Sequence, residues 1–296
     1  DLFKDKLEKE PSIVHVTINQ IFTMEASVND PLYDRQWAIE NNGTAIQYSG
    51  IPGADMSVDS AWLVTTGNTN IKIAVLDSGV DTLHEDLATN MLTGFDSFAT
   101  DSTNTYGFPT PNYTSDGHGT CCAGIIAAVA DNNLGIAGVA YGSKIIPVRI
   151  FYYVDYGAGV GIQATTSTDA LLSGTAYAWR TADADVISTS AGLSSLSIAA
   201  LQIDTQLIDD ELNEAFYNAR NGKGVSMFCS SGNDDISDIL WPAKLANTIA
   251  VGASSMCDER KNPSDCSGEN WGGNYGESLD IIAPGVKIST TDMMGT

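Results

Sequence analysis

The sequence predicts an α/β fold with a mostly parallel central sheet, and three observations predict it. Ile71-Lys72-Ile73-Ala74-Val75-Leu76 is a short, mostly apolar run, as a strand buried on both faces requires. Further strand candidates lie at 144–150, 185–190 and 225–229, separated by segments with helical apolar spacing. The first strand ends in Asp77-Ser78-Gly79-Val80-Asp81, and open α/β sheets place their chemistry at the carboxyl ends of strands.

At 296 residues, 43% of them hydrophobic, the chain can bury one large core. No run approaches the roughly 18 apolar residues of a membrane span. The formal charge of −23 argues against nucleic-acid binding, which needs a basic footprint, and fits a secreted protein tolerant of salt or calcium. Five cysteines are present, of which Cys257 and Cys266 bracket a polar loop that a disulfide can close in an oxidising compartment. A zinc pair fits less well, since no further Cys or His lies nearby.

In chain order, residues 1–28 read as a separate piece: a charged helix-favouring stretch up to Glu10, then Pro11, then a strand at 13–18. The chain opens on Asp1-Leu2-Phe3 without a signal peptide, which reads as a trimmed start. Asp59-Ser60-Ala61-Trp62 opens a helix that leads through Thr66-Gly67-Asn68 into the Asp77 strand. The Ser-, Thr-, Asn- and Pro-rich segment 97–115 has the composition of a surface loop, and Asn112-Tyr113-Thr114 within it fits a glycosylation sequon.

Next comes Ser115-Asp116-Gly117-His118-Gly119-Thr120-Cys121-Cys122-Ala123-Gly124. Behind it Cys122, Ile125, Ile126 and Val129 fall at i, i+3, i+4 and i+7, the spacing of one buried helix face. Cys122 on that stripe reads as a small core residue. His118 therefore stands at a helix N-terminus between glycines that leave its ring open. Of the three histidines, His15 lies in the N-terminal piece and His84 just past a strand, so His118 alone has the setting of a general base. Such a base needs an orienting carboxylate, and Asp77 is the candidate, although an acid there also suits a turn cap.

A helix is predicted from Thr168 to Trp179, and another over 207–221 with Ile208, Leu212, Ala215, Phe216 and Ala219 on one side. Gly222 and Gly224 end the latter. The strand at 225–229 then delivers Ser230-Ser231-Gly232-Asn233.

Val75-Leu76-Asp77-Ser78-Gly79-Val80, His84-Glu85-Asp86-Leu87 and Gly117-His118-Gly119-Thr120 with Ala123-Gly124 resemble the subtilases, the subtilisin-like serine peptidases. Ser230-Ser231-Gly232-Asn233 is similar to the family's oxyanion-hole block, and Ala283-Pro284-Gly285-Val286 to its turn ahead of the nucleophile. The blocks stand in the family's order over residues 29–296, with kexin-like and proteinase K-like features. The resemblance implies a three-layer fold, a mostly parallel sheet with helices on both faces. It also implies that residues 1–28 are the end of an inhibitory propeptide and that 29–296 is a peptidase domain incomplete at its C-terminus; the alternative for 1–28 is an ordinary extension.

By the same resemblance Asp77, His118 and Asn233 are catalytic. Ser190, Ala191 and Gly192 offer backbone to an extended peptide substrate and form one wall of its pocket, and Ser230, Ser231 and Gly232 also bind substrate. The loop after the His118 helix resembles one that wraps a structural calcium ion. Its ligands carry over as the carbonyls of Val129, Leu134 and Ile136, the Asn132 amide and the Asp86 carboxylate, with Asp30 a further one. The family's nucleophile is the serine of a Gly-Thr-Ser segment, expected some ten to thirty residues, a rough figure, beyond Thr296. The expectation is a secreted serine endopeptidase that acts on extended peptides or proteins and is held by its own propeptide, with residues 1–296 alone inactive.

Two other classes remain as alternatives. One is a catalytically inactive subtilase-like peptide-binding protein. The other is a nucleotide-binding α/β protein, against which stands the lack of a glycine-rich phosphate turn directly after a strand. Kexin-like enzymes that cut after basic residues place acids just beyond the 190–192 segment, and Leu193, Ser194 and Ser195 stand there instead, which argues against a dibasic preference; Ala191 is smaller than the Trp or Leu common in relatives. Cys121 receives no role.

Overall fold

A computed structural model describes residues 28–43, 50–99, 107–108 and 113–294. The propeptide reading of residues 1–28 falls almost wholly outside these, as does Asn112 of the sequon. Seven parallel strands form the main sheet: β1 (Lys72–Asp77), β2 (Phe95–Asp96), β3 (Lys144–Arg149), β6 (Val186–Thr189), β7 (Ser226–Ser230), β8 (Ile249–Ser255) and β10 (Ile281–Pro284). Their order is β10-β8-β7-β6-β1-β3-β2, and short β9 (Glu259–Arg260) adds to β8 antiparallel. A separate antiparallel hairpin pairs β4 (Tyr152–Asp155) with β5 (Ile162–Thr165). The predicted α/β class and mostly parallel sheet are what the structure shows.

The continuous apolar runs have a simple cause, since residues of β1 alternate between two covered faces. Ala74 and Leu76 pack with Ile146, Val148, Ile187 and Met227 against α3 (Thr168–Ala176), the π-turn that extends it (Tyr177–Thr181), and α5 (Gln206–Gly222). Val75 faces the other way, onto Ala123 and Ala127 of α2 (His118–Ala127). Burying such side chains is worth about 1.5–3 kcal/mol each, which is why charge in β1 is confined to its two ends, half-buried Lys72 and buried Asp77. Short α1 (Val58–Trp62) and α4 (Ser195–Leu201) complete the α-helices among the described residues, beside three single 3-10 turns at Tyr33–Arg35, Ala88–Asn90 and Thr114–Gly117.

Helix α2 differs from its prediction. Its buried face is Gly119, Thr120, Ala123, Gly124 and Ala127, whereas the Cys122, Ile125, Ile126 and Val129 stripe is only half-buried and Val129 lies beyond the helix. Close approach explains the exchange: a side chain on Gly124 would run into Thr290 and Thr291, and one on Gly119 into Gly79 and Asp77. Small residues let the helix sit against backbone; the larger aliphatics take its flanks.

The end of α5 also departs from prediction. Ala219 is already non-helical, and Arg220 and Asn221 take left-handed φ values of 55° and 59° before Gly222 and Gly224. Ile208, Leu212, Ala215 and Ala219 are buried as expected, but Phe216 is 39% exposed and meets Tyr217 edge-on.

On the α2 side of the sheet, covering stops at β6. Ser188, Phe228, Val251, Ile281 and Ala283 line an open depression of about 360 Å³ over β6, β7, β8 and β10, and Ile281 is 47% exposed. Parallel sheets are ordinarily covered on both faces.

Candidate active site

Because all seven strands run the same way, their carboxyl ends share one edge of the sheet. That edge receives Asp77 from β1, Ser190 just after β6 and Ser231-Gly232-Asn233 just after β7. Topology therefore gathers residues that lie far apart in sequence.

Asp77 is fully buried. Its Oδ1 accepts the Ser78 N–H at 2.7 Å and lies 2.7 Å from His118 Nδ1. The Ser78 hydroxyl donates to the Asp116 carbonyl at 2.9 Å and accepts the Gly119 N–H at 3.0 Å, tying the end of β1 to the first turn of α2. A Cβ on Gly119 would stand 3.0 Å from Asp77 Oδ1, so glycine beside the histidine is what lets the pair close.

The His118 side chain is 40% exposed. With Nδ1 on the carboxylate, Nε2 has no hydrogen-bond partner among the described residues and is the nitrogen left for proton transfer. Burial disfavours a charged ring, but the hydrogen bond and charge of Asp77 outweigh it and hold the His118 pKa above the ordinary 6.5. The Phe151 ring closes one side, 6.2 Å away between centroids. His84, by contrast, uses its Nδ1 to accept the Asp86 N–H in a local turn.

Cys122 packs, half-buried, against the core beneath α2, and its thiol also reaches the site. Its Sγ lies 4.0 Å from His118 Nδ1 and 3.6 Å from the Ser190 hydroxyl, at the boundary between the histidine and the β6 end. The i,i+4 spacing from His118 was the available signal, since such pairs meet on one helix face.

Ser190, Ser230, Ser231, Gly232 and Asn233 line one cavity of about 370 Å³ with Trp271 and the Ala283-Pro284-Gly285 turn. Ala191 and Gly192 face a second, apolar cavity of about 120 Å³ walled by Phe151, Leu171, Leu193, Ile208 and Met227. Leu193 then exchanges backbone hydrogen bonds with Trp241 at 2.8 and 2.9 Å. Thus Ser190 borders one cavity, and Ala191 and Gly192 border the other.

The loop after α2 brings together the residues named for a cation. Asp86 is buried, its Oδ1 accepting from Asn132 Nδ2 at 2.7 Å and its Oδ2 from the Ile136 N–H at 2.9 Å. Asp30 accepts the N–H groups of Asp131 and Asn132 at 3.0 and 3.2 Å. Burial raises the Asp86 pKa, the Ile136 and Asn132 donors lower it, and Asp30 nearby raises it again; the net direction is up. Neither acid is paired with Lys or Arg among the described residues, and the carbonyls of Val129, Leu134 and Ile136 accept no hydrogen bond there. This all-oxygen set with two acids fits a hard cation. Asn132 fits less directly, because its Oδ1 accepts the Leu134 N–H at 2.7 Å.

Cys257 and Cys266 form a disulfide, as their spacing allowed. The loop it closes holds a feature invisible in sequence, a fully buried Lys261 paired with Asp265 at 3.4 Å and lying 5.0 Å from the Trp271 ring centroid. Its ammonium also donates to the carbonyls of Asn262 and Glu269, at 2.8 Å each.

Residues 68–296 match the sequence model of the subtilase family. An extracellular protease of Xanthomonas campestris pv. campestris is 30% identical, across 98% of this chain and 48% of its own length. Neuroendocrine convertase 2 of Bos taurus is 28% identical, across 94% of this chain and 41% of its own. The chain thus spans about half the length, or less, of these curated relatives. Among solved structures, a protease of Pseudoalteromonas arctica PAMC 21717 superposes with a TM-score of 0.64 at 24% identity, covering 90% of this chain and 80% of that one. At that identity the superposition speaks for the fold alone.

Proposed function

The chain belongs to the subtilase family, and on that premise we propose that its parent protein is a secreted serine endopeptidase working through an Asp-His-Ser triad. The Asp77–His118 pair, which Cys122 joins to Ser190 at the end of β6, is the observation that carries this reading. Asp77 holds the imidazole with its Nδ1 proton inward and stabilises the charge that forms when Nε2 takes a proton from the nucleophile. His118 then returns that proton to the leaving amine. The Asn233 amide and a backbone N–H hold the oxyanion; losing one such donor costs subtilisin about 100- to 1000-fold in rate. Extended peptides or proteins are the substrates, paired to the backbone of Ser190, Ala191 and Gly192, with Ser230, Ser231 and Gly232 as the facing wall.

The nucleophile in this proposal is a serine on chain beyond residue 296, on a segment that covers the open sheet face at Phe228, Val251 and Ile281. No serine hydroxyl among the described residues bonds to His118, and that face of the sheet is bare beside it. Residues 1–28 are proposed to be the end of an inhibitory propeptide. Secretion is supported by the disulfide and by the extracellular relative.

A calcium ion is proposed at Asp86, Asp30 and the carbonyls of Val129, Leu134 and Ile136, with Asn132 joining if its amide turns. Such an ion neutralises two neighbouring acids and ties the segment before Leu32 to the loop after α2; its role is structural.

The test is peptide hydrolysis by the full-length parent, by its His118→Ala variant and by residues 1–296 alone. The full chain should cleave, lose most of its activity with His118→Ala and react with a serine-directed phosphonate. Turnover by 1–296 alone, or full-chain activity untouched by His118→Ala, would overturn the triad reading.

A further inference from the structure

We propose that Asn274 is a positioning residue that aims the Asn233 amide, gripping the peptide groups on both sides of it. Asn274 is 1% exposed and stands 40 residues away from this loop in sequence. Its backbone N–H donates to the Gly232 carbonyl at 2.9 Å, on one side of Asn233. Its side-chain Oδ1 accepts the Asp234 N–H at 2.8 Å, on the other side. Its Nδ2 donates to the Asp238 carbonyl at 2.9 Å, so each polar group of the side chain is used on one short stretch of chain.

The contact is close as well as polar. Gly232 has φ +107°, and a Cβ there would strike the Asn274 amide. Asn274 is itself well anchored. Gly273 donates to the Lys261 carbonyl at 3.0 Å, and Asp235 donates to the Gly272 carbonyl at 2.9 Å. Arg260 Nη1 spans the Gly273 carbonyl and Asp235 Oδ1, at 2.6 and 2.7 Å. The loop is thus clamped to a strap that the buried Lys261 holds in place.

Such a clamp has a chemical purpose. An oxyanion donor must lie about 2.7–3.1 Å from where charge develops, and misplacement by about 1 Å can cost on the order of 100-fold in rate. Asn233 sits on a turn after β7, where a free loop would leave its amide to wander. Fixing the carbonyl before it and the N–H after it removes that freedom. Asn274 touches no substrate; it acts through Asn233, and the proposal rests on Asn233 being the oxyanion donor.

A double-mutant cycle in the full-length parent tests it, with kcat and KM measured for Asn274→Ala, Asn233→Ala and the double variant. The expected result is a kcat loss of about 10- to 100-fold for Asn274→Ala with KM within about threefold. In the Asn233→Ala background the same change should cost almost nothing more, because the group it aims is gone. A merely structural role would give the same loss in both backgrounds, and that outcome, or an unchanged kcat, overturns the proposal. If Asn274→Ala does not fold, Asn274→Asp keeps the volume and the acceptor for Asp234 while removing the donor to Asp238, and the same cycle is run with it. Should Asn233→Ala leave kcat intact, the oxyanion reading itself fails and takes this proposal with it.

Discussion

Asp77 Oδ1 and His118 Nδ1 lie 2.7 Å apart across 41 residues of sequence, and the carboxylate is buried while the ring is 40% exposed. Buried acid and open base make an asymmetric pair: the acid is fixed and the base is reachable.

That asymmetry has a pH signature. Asp77 holds the His118 pKa above 6.5, so the neutral ring that catalysis requires appears only as pH rises through the raised value. In the full chain, kcat/KM should climb on the alkaline side of 6.5, and Asp77→Asn should move that limb to lower pH while cutting kcat by about 10⁴-fold. The stability linkage has the opposite sense. The contribution of the protonated pair is full below 6.5 and is lost as pH rises through the raised folded-state value, which urea titrations of wild type and Asp77→Asn across pH will show.

Calcium should act on stability. With the ion at about 100 times its Kd, unfolding should become harder by about 2.7 kcal/mol, and a chelator should remove that increment. Asp86→Asn should abolish the calcium response. Thermal melts with and without calcium decide it, and a response unaltered in Asp86→Asn would place the ion elsewhere.

The buried Lys261–Asp265 pair should be costly to break from one side. Lys261→Ala strands an acid whose surroundings are fully enclosed, with an expected loss of about 3–5 kcal/mol. Replacing both residues by apolar ones of similar size should recover much of it. Urea midpoints of the single and double variants measure the difference.

Gly119→Ala tests the close approach of α2 to β1. A Cβ there meets the Gly79 carbonyl and stands 3.0 Å from Asp77, so about 1–3 kcal/mol of overpacking is expected. The shift should also disturb the histidine, seen as a changed imidazole pKa by NMR. An alanine as stable as wild type, with that pKa unmoved, would mean the helix backs away freely.

Much was legible locally. The strand β1 and its terminal Asp77 announced themselves through an apolar run closed by an acid, and His118 through its glycine neighbours at a helix start. The serines and asparagine after β7 were likewise contiguous. Each signal lies within a dozen residues, where period and composition operate. The stripe on α2 misled because periodicity counts size, whereas close backbone contact selects Gly124, Ala123 and Ala127 over Ile125 and Ile126.

What the sequence by itself determined was the fold class, the family and the identity of the chemical groups. What only the tertiary structure decided was their mutual placement: Asp77 against His118, Cys122 against Ser190, and Asn274 holding both sides of Asn233. The physical reason is separation along the chain. A parallel sheet brings strand ends together only once every crossover is made, so contacts across 40 or more residues leave no local trace in composition or period.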